Sequence, residues 1–167
     1  MARLATCYAG GHSGSATLID SMQVTRTALV PYPALNMYRL VEDVASYPQF
    51  LSWCTAASLI DSGPDWQLAS LDIAIAGLRQ SFTTRNQLSP GSSLQMELVQ
   101  GPFQELSGEW RFLPLGDRGS KILLQLEFDF TGGLLSSAFR HGFANVADRL
   151  VSDFCQRAET VYSTAGN

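Results

Sequence analysis

Hydrophobic and polar positions alternate, then repeat at helical spacing, then alternate again, and that order predicts the fold. From Gln23 to Val30 the β-branched and apolar content reads as a short strand, ended by Pro31-Tyr32-Pro33. Pro33 suits the first turn of a helix. Met37, Leu40, Val41 and Val44 then recur at helical spacing, with Asn36, Arg39, Glu42 and Asp43 on the opposite face. This helix is expected to end before Tyr47, because Pro48 disfavours helical geometry in its predecessor. The connection Tyr47-Pro48-Gln49-Phe50-Leu51-Ser52-Trp53-Cys54 is unusually aromatic, as a core edge or a pocket mouth would require.

Strand patterns dominate the middle of the chain. Leu71, Ile73 and Ile75 alternate with small or polar neighbours, and Phe82, Thr84, Asn86 and Leu88 follow a turn near Gly77. Ser89-Pro90-Gly91-Ser92 is a hairpin signal leading into Leu94, Met96 and Leu98. Leu106, Gly108, Trp110 and Phe112 share a face, and a turn at Gly116–Gly119 precedes Ile122, Leu124, Leu126, Phe128 and Phe130. One dry face and one wet face is the pattern of an antiparallel sheet. After Gly132-Gly133, Leu135, Phe139, Phe143, Val146, Leu150, Phe154, Ala158 and Val161 advance in steps of three and four, which predicts one long amphipathic helix.

Strand, helix, a run of about six strands and a long terminal helix make an α+β domain. A twisted sheet of this size curls, and the apolar stripe of the last helix needs cover. Laying that helix across the concave face meets both needs, so the expected architecture is a helix-grip: a curved antiparallel β-sheet wrapped around a long C-terminal α-helix. The domain is expected over residues 22–165. Residues 1–21 are Gly/Ser-rich with no apolar period and are expected to be a flexible extension, with Met22 a plausible alternative start.

Composition narrows the function. At 167 residues the chain fits one domain, and 46% apolar content is ample for a core and a cavity. No segment reaches the roughly 18 uninterrupted apolar residues of a spanning helix, so a cytoplasmic protein, at most peripheral to the inner membrane, is expected. Fifteen acidic and eleven basic groups give a net charge of −4, which disfavours extensive phosphate contact. Cys7, Cys54 and Cys155 match neither a disulfide framework nor a zinc spacing. With only His12 and His141 beside them, no metal site is expected, nor any cofactor.

Several separated segments carry a family likeness. Met22-Gln23, Arg26 to Tyr32, Met37-Tyr38, Asp43-Val44, Tyr47 to Leu51, Phe82 to Leu88, Gly101-Pro102-Phe103, Leu106, Trp110, Phe112, Arg157-Ala158 and Val161-Tyr162 occur in order. Together they resemble the START-like RatA/coenzyme-Q-binding family, also called oligoketide cyclase/lipid-transport or polyketide cyclase/dehydrase proteins. Ser52 departs from it, since relatives often carry Pro there. The resemblance implies the START/Bet-v-like form of the helix-grip fold and three possible activities: quinone binding in respiration, binding to the large ribosomal subunit that blocks subunit association, and polyketide cyclisation.

Carriage of an apolar ligand, ubiquinone or a related isoprenoid quinone, is the leading expectation. Its pocket candidates are Phe50, Trp53, Phe82, Thr84, Asn86, Met96, Trp110, Phe112, Leu124, Leu126, Phe128, Phe139 and Phe143, large apolar side chains with few polar groups among them. Asn86 shares the Phe82–Leu88 face and is the favoured partner for a quinone carbonyl. Phe50 and Trp53 would gate the pocket or dip transiently into a membrane interface, where such rings are at home. The alternative is a RatA-like ribosome-binding toxin, with Arg79, Arg85, Arg111 and Arg118 facing ribosomal RNA. An enzyme is the third reading. Cyclase chemistry wants an acid or base inside the cavity, whereas His141 and Asp72 stand off the apolar faces without a visible partner, so no catalytic residue is assigned.

Overall fold

The structure, a computed structural model, describes residues 21–130 and 137–163. The expectations for the extension, Cys7, His12 and the Gly132-Gly133 turn fall outside those residues, except for Ser21. Strand β1 (Met22–Val30) leads to helix α1 (Ala34–Glu42) and a 3-10 turn (Val44–Gln49). Six strands follow: β2 (Cys54–Ser62), β3 (Trp66–Ile75), β4 (Leu78–Ser89), β5 (Ser93–Gln100), β6 (Phe103–Leu115) and β7 (Gly119–Phe130). Helix α2 (Ser137–Tyr162) closes the order. All strands pair antiparallel in one seven-stranded sheet, β1-β7-β6-β5-β4-β3-β2, and α2 packs its apolar stripe against it. The expected helix-grip fold is the observed one. Among the described residues no helix is long and apolar enough to cross a membrane.

The strand periodicity sets the register of the dry face. Across β4, Phe82, Thr84, Asn86 and Leu88 are buried, while Ser81, Arg85, Gln87 and Ser89 are exposed. The β3–β4 hairpin turns on Ala76 and Gly77, with φ of 53° and 77°, between the paired Ile75 and Leu78. Two successive positive φ values match the right-handed twist of the flanking strands, at a steric cost for Ala76 that a glycine would not carry.

Two local features go beyond the expectation. Strand β2 falls almost wholly between the aromatic connection, which ends at Cys54, and the strand pattern that starts at Leu71. It is an edge strand exposed along almost its whole length, with register shifts at Cys54/Ala56 and Leu59/Asp61, so no buried face imposes alternation on it. The α-helix stops at Glu42, before Tyr47 as expected, while Val44 and Pro48 sit in a separate 3-10 turn that the pattern did not separate from it. Phe50 and Leu51 donate their amides to Tyr47 O, so this tight turn closes without the N–H that Pro48 lacks.

α2 covers the sheet unevenly. Its first turns bring Phe139 and Phe143 onto Phe103, Phe128 and Phe130, with ring centroids 4.9–6.1 Å apart. Gly142 allows the close approach, since a Cβ there would collide with Ile75 Cγ2. Near its end, Phe154 packs edge-on against Trp110, Tyr47 and Phe50. An Arg26–Asp148 ion pair also ties α2 to β1, and Arg157 ties it to the 3-10 turn, its Nη2 donating to Gln49 Oε1 at 2.9 Å.

Candidate functional site

Between these two aromatic ends, α2 presents Val146, Ala147 and Leu150, which are too small to reach the sheet floor. A cavity of about 80 Å³ remains. Its floor is Ala69 and Leu71 of β3, Phe82, Thr84 and Asn86 of β4, Leu94 and Met96 of β5, Leu106 and Trp110 of β6, and Leu126 of β7. Val44, Tyr47 and Trp53 close one side; Phe143, Val146, Ala147, Leu150 and Phe154 form the roof. Gly108 keeps the floor low: a Cβ there would stand 2.8 Å from Met96 Cε and 2.9 Å from Leu126 Cδ1.

The walls are apolar apart from a few placed polar atoms. Thr84 Oγ1 donates to Asn86 Oδ1 at 2.9 Å, and both residues are buried. They sit two apart on one strand and therefore share a face. Tyr47 donates its hydroxyl to Val41 O at 2.5 Å, and burial, followed by the neighbouring Cys54 and Asp43, raises its pKa far above the ordinary phenol value. Trp53 Nε1 is buried without a hydrogen-bond partner. So are Tyr38 Oη under α1 and Oε1 of Gln67, the residue paired with Asn86 across β3–β4. Cys54 is buried beside this region, and desolvation first, with a smaller push from Asp72, takes its thiol up to about 11 against a lowering hydrogen bond to Ala56.

Of the pocket candidates, Trp53, Phe82, Thr84, Asn86, Met96, Trp110, Leu126 and Phe143 line this cavity. Five do not. Phe50 packs outside the wall, on Tyr47 and Phe154, beneath the Arg157 guanidinium 5.1 Å away. Phe112 packs edge-on against Tyr38 of α1, and Leu124 is wholly buried in the dry core. Phe128 and Phe139 belong to the phenylalanine cluster. Phe112, Leu124, Phe128 and Phe139 lie on the apolar faces that the strand and helix periods predict, but periodicity cannot tell a packed position from one beside empty space. The same limit hid Ala69, Gly108 and Ala147, whose smallness makes the cavity. Gln67 was legible, since it continues the Leu71, Ile73, Ile75 phase backward.

The remaining candidates are placed elsewhere. The half-buried rings of Phe50 and Trp53 are turned against the protein, not out towards a bilayer. Arg79 lies at the start of β4 and Arg118 in the β6–β7 turn at the other end of the sheet, Arg85 stacks 4.3 Å over Trp66, and Arg111 pairs with Glu109 at 2.8 Å. Glu97, Glu109 and Glu127 stand among them on the outer face, so the four arginines do not form one basic patch. His141 is exposed with Nδ1 2.7 Å from Ser137 O of its own helix, and Asp72 is exposed and accepts from Ser81 Oγ at 2.6 Å.

Comparison with known proteins agrees with this architecture. The family model described as polyketide cyclase / dehydrase and lipid transport matches residues 30–155. The ribosome association toxin RatA of Escherichia coli is 47% identical over 84% of this chain and 89% of its own length. The mitochondrial coenzyme Q-binding protein COQ10 of Drosophila melanogaster is 27% identical over 92% of this chain and 70% of its own. Among solved structures, the Zhui aromatase/cyclase of a Streptomyces superposes with a TM-score of 0.78 at 20% identity, over 88% of this chain and 99% of that one. At that identity the likeness speaks for the fold alone.

Proposed function

We propose a function for this chain from the premise that it belongs to the polyketide cyclase / dehydrase and lipid transport family of START-like proteins: it associates with the ribosome in the manner of RatA. The observation that carries this reading is the 47% identity to a ribosome association toxin over 89% of that protein's length. The family resemblance directs the contact to the large subunit, with the joining of subunits as the step it opposes. The cavity's size adds support. At about 80 Å³ it is well below the roughly 300–1,000 Å³ of pockets that enclose drug-sized ligands, so an isoprenoid quinone does not fit unless α2 lifts from the sheet. The test is to pellet purified large subunits with the chain at moderate salt. Near-stoichiometric recovery with large but not small subunits is expected; a chain left in the supernatant at every salt concentration would remove the reading.

One observation favours a second reading, binding of a lipophilic small molecule. The cavity is almost wholly apolar and furnished with a few inward polar atoms, as ligand sites are. The likeness to a coenzyme Q-binding protein suggests a ubiquinone-like class for such a ligand. Solvent extraction of the chain purified from a quinone-producing bacterium, followed by mass spectrometry, tests it. A stoichiometric isoprenoid quinone supports carriage, and its absence argues against it.

A further inference from the structure

The outer face of the sheet, turned away from α2, carries its charges in an order. Strand pairing sets residues of β5, β6, β7 and β1 side by side in rows, and alternate rows point outward. Glu97, Ser107 and Glu127 share one outward row, and Glu109 stands in the next. These two rows border a groove of about 410 Å³. Beyond them the sign reverses. Arg111 occupies the third row, and in the fourth Lys121 stands between Leu29 and Leu113, which are 60% and 48% exposed. Half of the face is therefore acidic and grooved, and half is basic with apolar knobs. Little of this charge is neutralised within the chain. Arg111 leans on Glu109 across the boundary, and Arg85, the neighbour of Glu97 on β4, stacks over Trp66. Glu127 accepts a long 3.4 Å bond from Gln23 Nε2, and Lys121 is in no ion pair among the described residues.

We propose that this face is the contact between two copies of the chain, related by a two-fold axis that crosses the strands beneath the buried Leu94–Trp110–Leu124 row. Such an axis reverses strand direction and lays β6 and β7 on their own counterparts. Positions equally spaced on either side of that row then meet. Glu127 faces the partner's Lys121, Glu109 faces the partner's Arg111, and Leu113 enters the groove over the partner's Ser107. Each contact occurs twice, and the two Glu109–Arg111 pairs join into a network of four charges. An axis parallel to the strands would instead lay acidic rows on acidic rows, which like-charge repulsion disfavours. Three to four strands about 4.8 Å apart, rising about 3.4 Å per residue, offer roughly 500 Å² on each copy, the low end for a specific interface, so association is reversible. The contact uses neither α2 nor the cavity, and it neither requires nor excludes ribosome or ligand binding.

Sedimentation velocity of the full chain over about 1–500 µM, the range in which a small interface dissociates, reads the association. The sedimentation coefficient is expected to rise with concentration towards that of a dimer. Lys121→Glu and Glu127→Lys should each weaken dimerisation at least about tenfold, because each creates two like-charge contacts across the axis. An equal mixture of the two single variants should recover association, since every such contact in the mixed pair is again between opposite charges. The double variant Lys121→Glu/Glu127→Lys should recover it alone, an outcome that general loss of stability would not give. A chain that stays monomeric across the range overturns the proposal. So does a dimer that both reversals leave intact, or a loss in the single variants that the mixture does not restore. If the chain never dimerises and Lys121→Glu lowers its pelleting with large subunits, the face belongs to the ribosome instead.

Discussion

Phe139 and Phe143, at the start of α2, close against Phe103, Phe128 and Phe130 with rings in edge-to-face and tilted contact. One turn further on, Val146, Ala147 and Leu150 face Asn86, Met96 and Trp110 across a cavity, and Gly108 lies beneath Met96 and Leu126. Helix and sheet are the same in both places; only side-chain volume differs. A row of rings on a regular spacing makes dry core, and the space that could receive something is marked by alanine and glycine between them. The first region holds the grip together, and the second is where its contents can vary.

The comparison breaks most visibly by truncation. Phe128→Ala removes a fully buried ring from the packed end and should cost about 3–5 kcal/mol in urea unfolding. On the cavity floor, Asn86→Leu should cost about 1–3 kcal/mol, because the buried Thr84 hydroxyl loses its acceptor. The double variant Thr84→Val/Asn86→Leu should recover most of that loss. A double variant as unstable as the single one would mean that the pair is not what holds the floor. Adding volume inverts the contrast. Ala158→Val, at a site with no exposure, should destabilise by about 1–3 kcal/mol through overpacking. Ala147→Val enters the cavity and should shift stability by less than about 1 kcal/mol.

The smallest effect is one of pH and falls on groups outside both regions, on Cys54 beside the cavity and Tyr38 of α1. Burial raises the Cys54 thiol to about 11 and the Tyr38 phenol, which also feels Glu42, to about 12. A raised folded-state value means that the folded chain holds its proton longer. Stability from these groups is therefore complete below the unfolded values of 9.0 and 10.0 and drains away as pH climbs towards 11 and 12. Thermal melts in steps upward from neutral pH should show a flat region and then a fall. Cys54→Ala should soften the first part of that fall.

Much of the architecture was legible because burial on one face writes itself into the chain. The alternation in β4 and β7 and the three-and-four spacing of α2 state which side is dry, and a curled sheet with one long helix has few other ways to cover itself. Strand β2 was not legible, since an exposed edge has no dry side to record. Nor was the 3-10 geometry around Pro48, which depends on where the amides of Phe50 and Leu51 go. For the site, Asn86 and Thr84 stood out as polar residues on an apolar face, and both line the cavity. Phe112 and Phe128 looked the same as Phe82 and Trp110 in sequence, because the volume opposite a residue belongs to another element.

Contact with the ribosome is tested by a subunit-joining assay resolved on a sucrose gradient. Purified small and large subunits are mixed with and without the chain under conditions that favour joining. A ribosome-associating chain leaves fewer joined particles and sediments in the large-subunit fraction. Joined particles in unchanged amount, with the chain remaining at the top of the gradient, would contradict it.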